Sequence, residues 1–199
     1  KMAKLLFIII SFIIGCAPNV ADLQDARLEG KGNSKITPGY TKLGQSNSLS
    51  VQYAYGLSNK SDLRLRYEYA TNGIHTYALG IKTEIEKDRF ALYLPIHISM
   101  YPKLESRYTY FFPTMLSTTT LSNSVDLNIS FKYYIQLQQT IIGMNINQDL
   151  DNYGFDENLI VFNFGLGFKN SKNQILRPEL GFIIASGVVF PHFSFGLSL

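Results

Sequence analysis

The stretch "DLRLRYEYA" (Asp62–Ala70) sets Leu63, Leu65, Tyr67 and Tyr69 against Asp62, Arg64, Arg66 and Glu68. Side chains along a strand point alternately to opposite faces. These nine residues therefore read as a strand with one apolar face and one face of four charged residues ending in Ala70. The fold follows from which of the two faces is turned inward.

The same two-residue period recurs on both sides of this stretch. Leu49, Val51, Tyr53, Tyr55 and Leu57 alternate with Ser48, Ser50, Gln52, Ala54 and Gly56. Tyr77, Leu79 and Ile81 oppose Ala78, Gly80 and Lys82, and Phe90, Leu92, Leu94, Ile96 and Ile98 oppose Ala91, Tyr93, Pro95 and His97. Further on, Val125, Leu127, Ile129 and Phe131 face away from Asp126, Asn128, Ser130 and Lys132. The pattern continues through Ile160–Phe168, through Arg177, Glu179 and Gly181 against Leu180 and Phe182, and through the closing Phe193, Phe195, Leu197 and Leu199. No segment beyond the first fifteen residues has a helical period.

Short polar turns at 58–62, 86–88, 121–124 and 170–173 alternate with more varied connections at 71–73, 99–107, 135–157 and 185–190. Tight turns at one end and larger loops at the other are how transmembrane barrels are built. With a first strand near Ser34–Thr41, the count is about ten, and an even count returns the C-terminus to the end where the barrel begins. Twelve is the alternative, because "TIIGMNI" (140–146) reads equally as outer loop or as an additional pairing. Pro95 and Pro178 lack the N–H that a ladder needs, so a bulge or local irregularity is expected at each.

The orientation of the faces follows from their chemistry. A soluble lipocalin-like barrel that binds an apolar ligand would carry long charged side chains outside. Here the polar face is instead rich in small residues: Ala54, Gly56, Ala78, Gly80, Ala91, Gly165, Gly167, Gly181 and Gly196. Small residues suit the confined lumen of a narrow barrel. Turning Arg64, Arg66, Lys82, Lys132 or Arg177 to mid-bilayer lipid would cost about 2–4 kcal/mol each. The expectation is an all-β chain, a closed antiparallel up-and-down transmembrane β-barrel. The lipocalin-like barrel is the competing reading.

Ahead of the strands, Leu5–Ile14 is a ten-residue, almost wholly apolar run behind Lys1 and Lys4. That is half of the roughly 20 residues a membrane helix needs, and it has the layout of a secretory signal. It leads to Gly15-Cys16, and Cys16 is the sole cysteine, so no intramolecular disulfide can form. The expected organisation is a signal peptide at 1–15, a linker at 16–32 that packs under or into the barrel mouth, and the barrel at 33–199. The composition, 46% hydrophobic and 17% charged, excludes a disordered polymer. A net charge of +3 with no basic run gives nucleic acid no footprint.

Ile13-Ile14-Gly15-Cys16 resembles the lipobox of bacterial lipoproteins, which implies cleavage before Cys16 and its lipidation. With "QDARLEGKGNSKITPGY" (24–40), "YGLSNKSDLRLRYEY" (55–69), "ALYLP" (91–95), "FNFGLGF" (162–168) and "LRPELGF" (176–182), the mature chain resembles a group of Gram-negative outer-membrane β-barrel lipoproteins of largely unassigned function. The closing "FSFGLSL" is similar to an outer-membrane insertion signal, though it ends in Leu199 where an aromatic is usual. The resemblance implies outer-membrane lipid, the barrel-insertion machinery and the lipoprotein-sorting machinery as partners.

The candidate site is the lumen. Arg64, Arg66 and Glu68 on one strand, Arg177 and Glu179 on a later one, and Lys82, Asp126 and Lys132 between them form a charge network that either braces a plugged barrel or lines a path for a small, anionic solute. Buried charges require partners. His97 with Ser99 and His192 with Ser194 loosely resemble the His/Ser arrangement of lipid-modifying barrel hydrolases. No acid completes a triad, and three scattered histidines with one lipidated cysteine make no metal site. The expectation is a chain without catalytic residues, metal or cofactor.

Overall fold

The computed structural model of the chain describes residues 21–44, 46–102, 105–141, 159–172, 174–185 and 188–199. The described residues contain β1 (Ser34–Leu43), β2 (Ser46–Gly56), β3 (Ser61–Ala70), β4 (His75–Glu86), β5 (Phe90–Tyr101) and β6 (Ser106–Phe111). They continue with β7 (Thr114–Ser122), β8 (Val125–Tyr133), β9 (Ile135–Ile141), β10 (Ile160–Lys169), β11 (Ile175–Ala185) and β12 (Val188–Ser198). All pairings are antiparallel. The ladder runs β4-β3-β2-β1-β12-β11-β10-β8-β7-β5, and β5 pairs back to β4, which closes a ten-stranded barrel. The expected signal peptide at 1–15 and Cys16 lie outside the described residues.

β6 and β9 are two further strands, and their register explains them. Tyr93 pairs Thr114 and Ile96 pairs Phe111 in one unshifted alignment, so β6 and β7 are a single stave broken at Phe112-Pro113. β8 and β9 form the next stave, broken at Tyr134. The cause is local. In that alignment Pro95 lies opposite Phe112 and Pro113 opposite Leu94, so two prolines sit at adjacent rungs, and neither has an N–H to give. Lone bonds carry the stave across the gap, from Phe112 N–H to the Pro95 carbonyl and from Tyr133 N–H to the Pro113 carbonyl, each 3.2 Å. This resolves the choice between ten and twelve strands: ten staves close the barrel, and two of them are interrupted. Part of the 135–157 connection is therefore strand, because β9 pairs β6; the rest of "TIIGMNI" lies outside the described residues.

The bulge expected at Pro95 is absent on the β4 side, where Gly80 pairs Pro95 with no shift; the break is on the opposite edge. At Pro178 the β10–β11 ladder lapses between Gly165–Glu179 and Phe168–Leu176 and resumes in the same register. The two ends of the barrel circuit meet at one mouth, where Ile36 and Leu199 exchange backbone bonds of 3.4 and 2.9 Å. The tight turns 57–60, 87–89, 123–124 and 170–174 lie at that same mouth.

The apolar row faces outward. Leu49, Leu65, Leu79, Leu94, Phe164 and Phe193 are exposed, while Gln52, Arg64, Arg66, Lys82, Asp126 and Arg177 are buried. A barrel with an apolar exterior and a charged interior is a transmembrane barrel. The lipocalin-like alternative requires the reverse.

Candidate functional site: the occupied lumen

Alternation along β3 turns Asp62, Arg64, Arg66 and Glu68 inward. It does the same for Lys82 of β4, Asp126 and Lys132 of β8, and Arg177 and Glu179 of β11. All are buried, with Lys82 and Asp62 at 0% exposure. These side chains do not simply brace one another. Residues 21–33, ahead of β1, form a thread that lies buried in the lumen at 21–26, half-buried at 27–30 and exposed at the tight-turn mouth at 31–33, and most of the network closes on it.

The thread's acids meet the wall's cations one by one. Asp22 lies 3.0 Å from Lys132 Nζ, Asp25 2.6 Å from Arg177 Nη2, and Glu29 3.0 Å from Arg64 Nη2 and 2.7 Å from Lys35 Nζ. Asp22 also accepts from Ser130 Oγ and, at 3.1 Å, from Asn163 Nδ2. In the opposite sense, the thread's Arg27 makes a two-armed pair with Asp126, at 2.5 and 2.9 Å, and Lys169 joins that carboxylate at 2.8 Å.

The wall also satisfies the thread's backbone. Glu179 accepts the N–H of Asp22 at 2.9 Å and of Leu23 at 3.1 Å, and Thr118 Oγ1 accepts that of Ala26 at 2.8 Å. Asp62 accepts that of Glu29 at 3.2 Å. Arg66 donates to the Ala21 carbonyl at 2.6 Å, Lys132 to the same oxygen at 3.2 Å, and Lys82 to the carbonyls of Asp25 and Arg27. Buried amides left without partners cost about 1–3 kcal/mol each, so the thread is stable in the lumen only because the wall supplies them. Leu23 adopts a left-handed φ of 52°, held by the two bonds to Glu179.

The small residues of the polar face make room for this arrangement. A side chain at Gly39 or Gly196 would press into Leu23, and one at Gly56 would collide with the backbone of Gly30. Gly80 accommodates Tyr93 and Pro95, and Gly181 lies under the ring of His192 and the amide of Asn163.

Above the thread the lumen turns aromatic. Ile74, Tyr101, Tyr108, Tyr110, Phe112, Tyr134, Leu159, Val161 and Ile183 form one buried cluster, drawn from staves around the wall. Tyr110 and Phe112 each pack against Tyr134, with centroids 5.2 and 5.8 Å apart. Between thread and cluster lies a small cavity bordered by Ala21, Gln24, Gln52, Tyr93 and His97, with room for about one water molecule.

The two His/Ser pairs are also luminal. His97 stacks on Tyr110 at 5.0 Å, and Ser99 is hydrogen-bonded to Thr76 at 2.8 Å and to Tyr110 at 3.0 Å. Among the described residues, Ser194 Oγ and both ring nitrogens of His192 have no hydrogen-bond partner, so neither pair places a base on a nucleophile. Among the described residues, no three His, Cys, Asp or Glu side chains converge as a metal site.

Of the sequence-predicted residues, Arg64, Lys82, Asp126, Lys132, Arg177 and Glu179 touch the thread's side chains or backbone, Arg66 touches its backbone, and Glu68 is held by Arg66 at 2.8 Å. Sequence reasoning missed Asp22, Asp25, Arg27 and Glu29, and it put Asp62 on the charged face of its strand without counting it in the network. The available signal was an imbalance: five predicted luminal cations against three acids, with acids clustered just ahead of the first strand.

No protein-family model matches the chain, and no curated protein matches it. Among solved structures it is similar to the NanC porin, with a TM-score of 0.51 at 8% identity over 83% of this chain and 98% of that one. It also matches the KdgM porin, with a TM-score of 0.47 at 8% identity over 82% and 97% of the two chains. A barrel from a de novo design of transmembrane β-barrels matches with a TM-score of 0.42 at 9% identity, over 84% and 94%. The likeness to the NanC porin is one of fold.

Proposed function

We propose that this chain is a non-catalytic component of the Gram-negative outer membrane, an integral β-barrel that is sealed rather than open. The carrying observation is that both halves of the lumen are filled, the lower by residues 21–30 and the upper by the aromatic cluster around Tyr110, Phe112 and Tyr134. Of the two roles open to a charged lumen, passive channel or envelope structure, this filling favours structure. The full-length protein reconstituted in a planar bilayer at moderate voltage will show no steady conductance. Steady ohmic conductance from protein with normal heat-dependent gel mobility would overturn the reading.

The lipobox supports lipid attachment at Cys16 as a second anchor, with sorting and insertion machinery as transient partners. Cys16→Ala, exported behind an ordinary cleavable signal, will lose palmitate labelling yet stay in the membrane at high pH, because the strands hold it there. Release as soluble periplasmic protein would instead make the lipid its sole anchor.

A further inference from the structure

We infer that the lower lumen is a peptide-binding site, and that the ligand class it is built for is an acidic polypeptide segment entering through the tight-turn mouth. The inference rests on the reading that the thread seals the barrel. It goes further by asking what the wall recognises.

A lining for simple anions would present cations and avoid acids. This wall presents both in a fixed pattern. Lys132, Arg177 and Arg64 take carboxylates from thread positions 22, 25 and 29, on three different staves. Glu179 and Asp62 sit among these cations, and both accept backbone N–H groups from the thread. Against a bare polyanion the two acids would be repulsive. Against a peptide they are hydrogen-bond acceptors. Lys82 and Arg66 complement them by donating to backbone carbonyls. Asp126 adds a further selection, pairing a guanidinium two residues beyond the second acid. The lumen thus reads Asp-x-x-Asp-x-Arg-x-Glu on a backbone that turns through a left-handed residue at Leu23.

The chain's own segment is tethered at a high effective concentration, so a second peptide gains access only when that segment is weakened. The test uses full-length Asp22→Asn/Asp25→Asn/Glu29→Gln protein and a fluorescent peptide with the sequence of residues 21–30, followed by anisotropy. Saturable binding is expected to this variant and at least about tenfold weaker binding to the wild type. A peptide with the same charges, N-methylated at the positions of Asp22, Leu23 and Ala26, will bind at least about tenfold more weakly, because three N–H donors are gone. Equal binding of both peptides would show that charge alone is read and would overturn the proposal. So would no binding of either to folded variant. If the variant fails to fold, refolding with the unmodified peptide must restore the heat-shifted band and the N-methylated peptide must not; failure of that rescue also overturns it. A wild-type barrel that conducts would count separately, against the sealed barrel itself.

Discussion

Replacing Arg177 by methionine will lower the stability of the folded barrel by about 3–5 kcal/mol, the usual consequence of stranding one member of a buried ion pair. Arg177 Nη2 lies 2.6 Å from Asp25, and both side chains are 5% exposed. Its Nε also holds Ser198 Oγ at 3.1 Å, which ties β11 to the last strand. Methionine keeps the volume and removes both bonds, and Asp25 is left as a carboxylate without its arginine. Asp25→Asn will destabilise as well, by stranding Arg177. The double variant will cost less than the two single changes added together, because neither charge is then left alone, with a coupling of about 0.5–3 kcal/mol. Equilibrium urea unfolding in lipid vesicles measures all four corners of this cycle. Additivity within about 0.5 kcal/mol would show that Asp25 does not meet Arg177, and the thread would lose one of its three carboxylate contacts. Trypsin gives a second readout. The carbonyl of Arg27 is taken by Lys82 inside the barrel, so cleavage after Arg27 will be slow in the wild type and faster once Asp25 has lost its partner.

Most of the barrel wall is legible in the sequence because each strand advertises itself locally. Leu63, Leu65, Tyr67 and Tyr69 against Arg64, Arg66 and Glu68 need no distant partner to define a strand and its two faces. The orientation of those faces is legible too, since charge and small residues share one side. What the period does not carry is where a stave is broken. The interruption at Phe112-Pro113 depends on Pro95 lying across the ladder, seventeen residues away in sequence. The polar run Gln136, Gln138, Gln139 and Thr140 read as loop, although its backbone pairs with β6. The linker is expected under or in the barrel mouth, but its partners are the largest omission, and the reason is physical. Residues 21–33 form no ladder until β1 begins, so they have no period to detect. Their acids acquire meaning only from partners such as Lys132 and Arg177, more than 100 residues away. The luminal residues share one face of their strands, and that face alone does not show whether its excess of cations awaits a solute or the chain's own N-terminal segment.

Leu65→Arg separates a membrane-crossing barrel from any water-soluble one by the sign and size of its effect. Leu65 is 44% exposed near the middle of β3, with Tyr53 and Leu79 as its outward-facing neighbours across the ladders. If that face meets hydrocarbon, an arginine there costs about 2–4 kcal/mol at the bilayer midplane, and the cost falls toward about 0–1 kcal/mol near the interfaces. Leu121 supplies the internal control. It is more exposed, at 58%, but lies beside the tight turn that follows β7, so Leu121→Arg will cost at most about 1 kcal/mol. A barrel standing in water would show neither the penalty nor the gradient, because exposed substitutions there usually stay within about 0.5 kcal/mol. Folding into vesicles across a urea series, read by the heat-shifted band, gives both values in one experiment. A midpoint for Leu65→Arg equal to that of Leu121→Arg would mean that the exposed apolar row does not contact lipid. A gradient would place the membrane around the band of Leu65, Leu79 and Leu94, and the charged interior would then be insulated from the hydrocarbon by the wall itself.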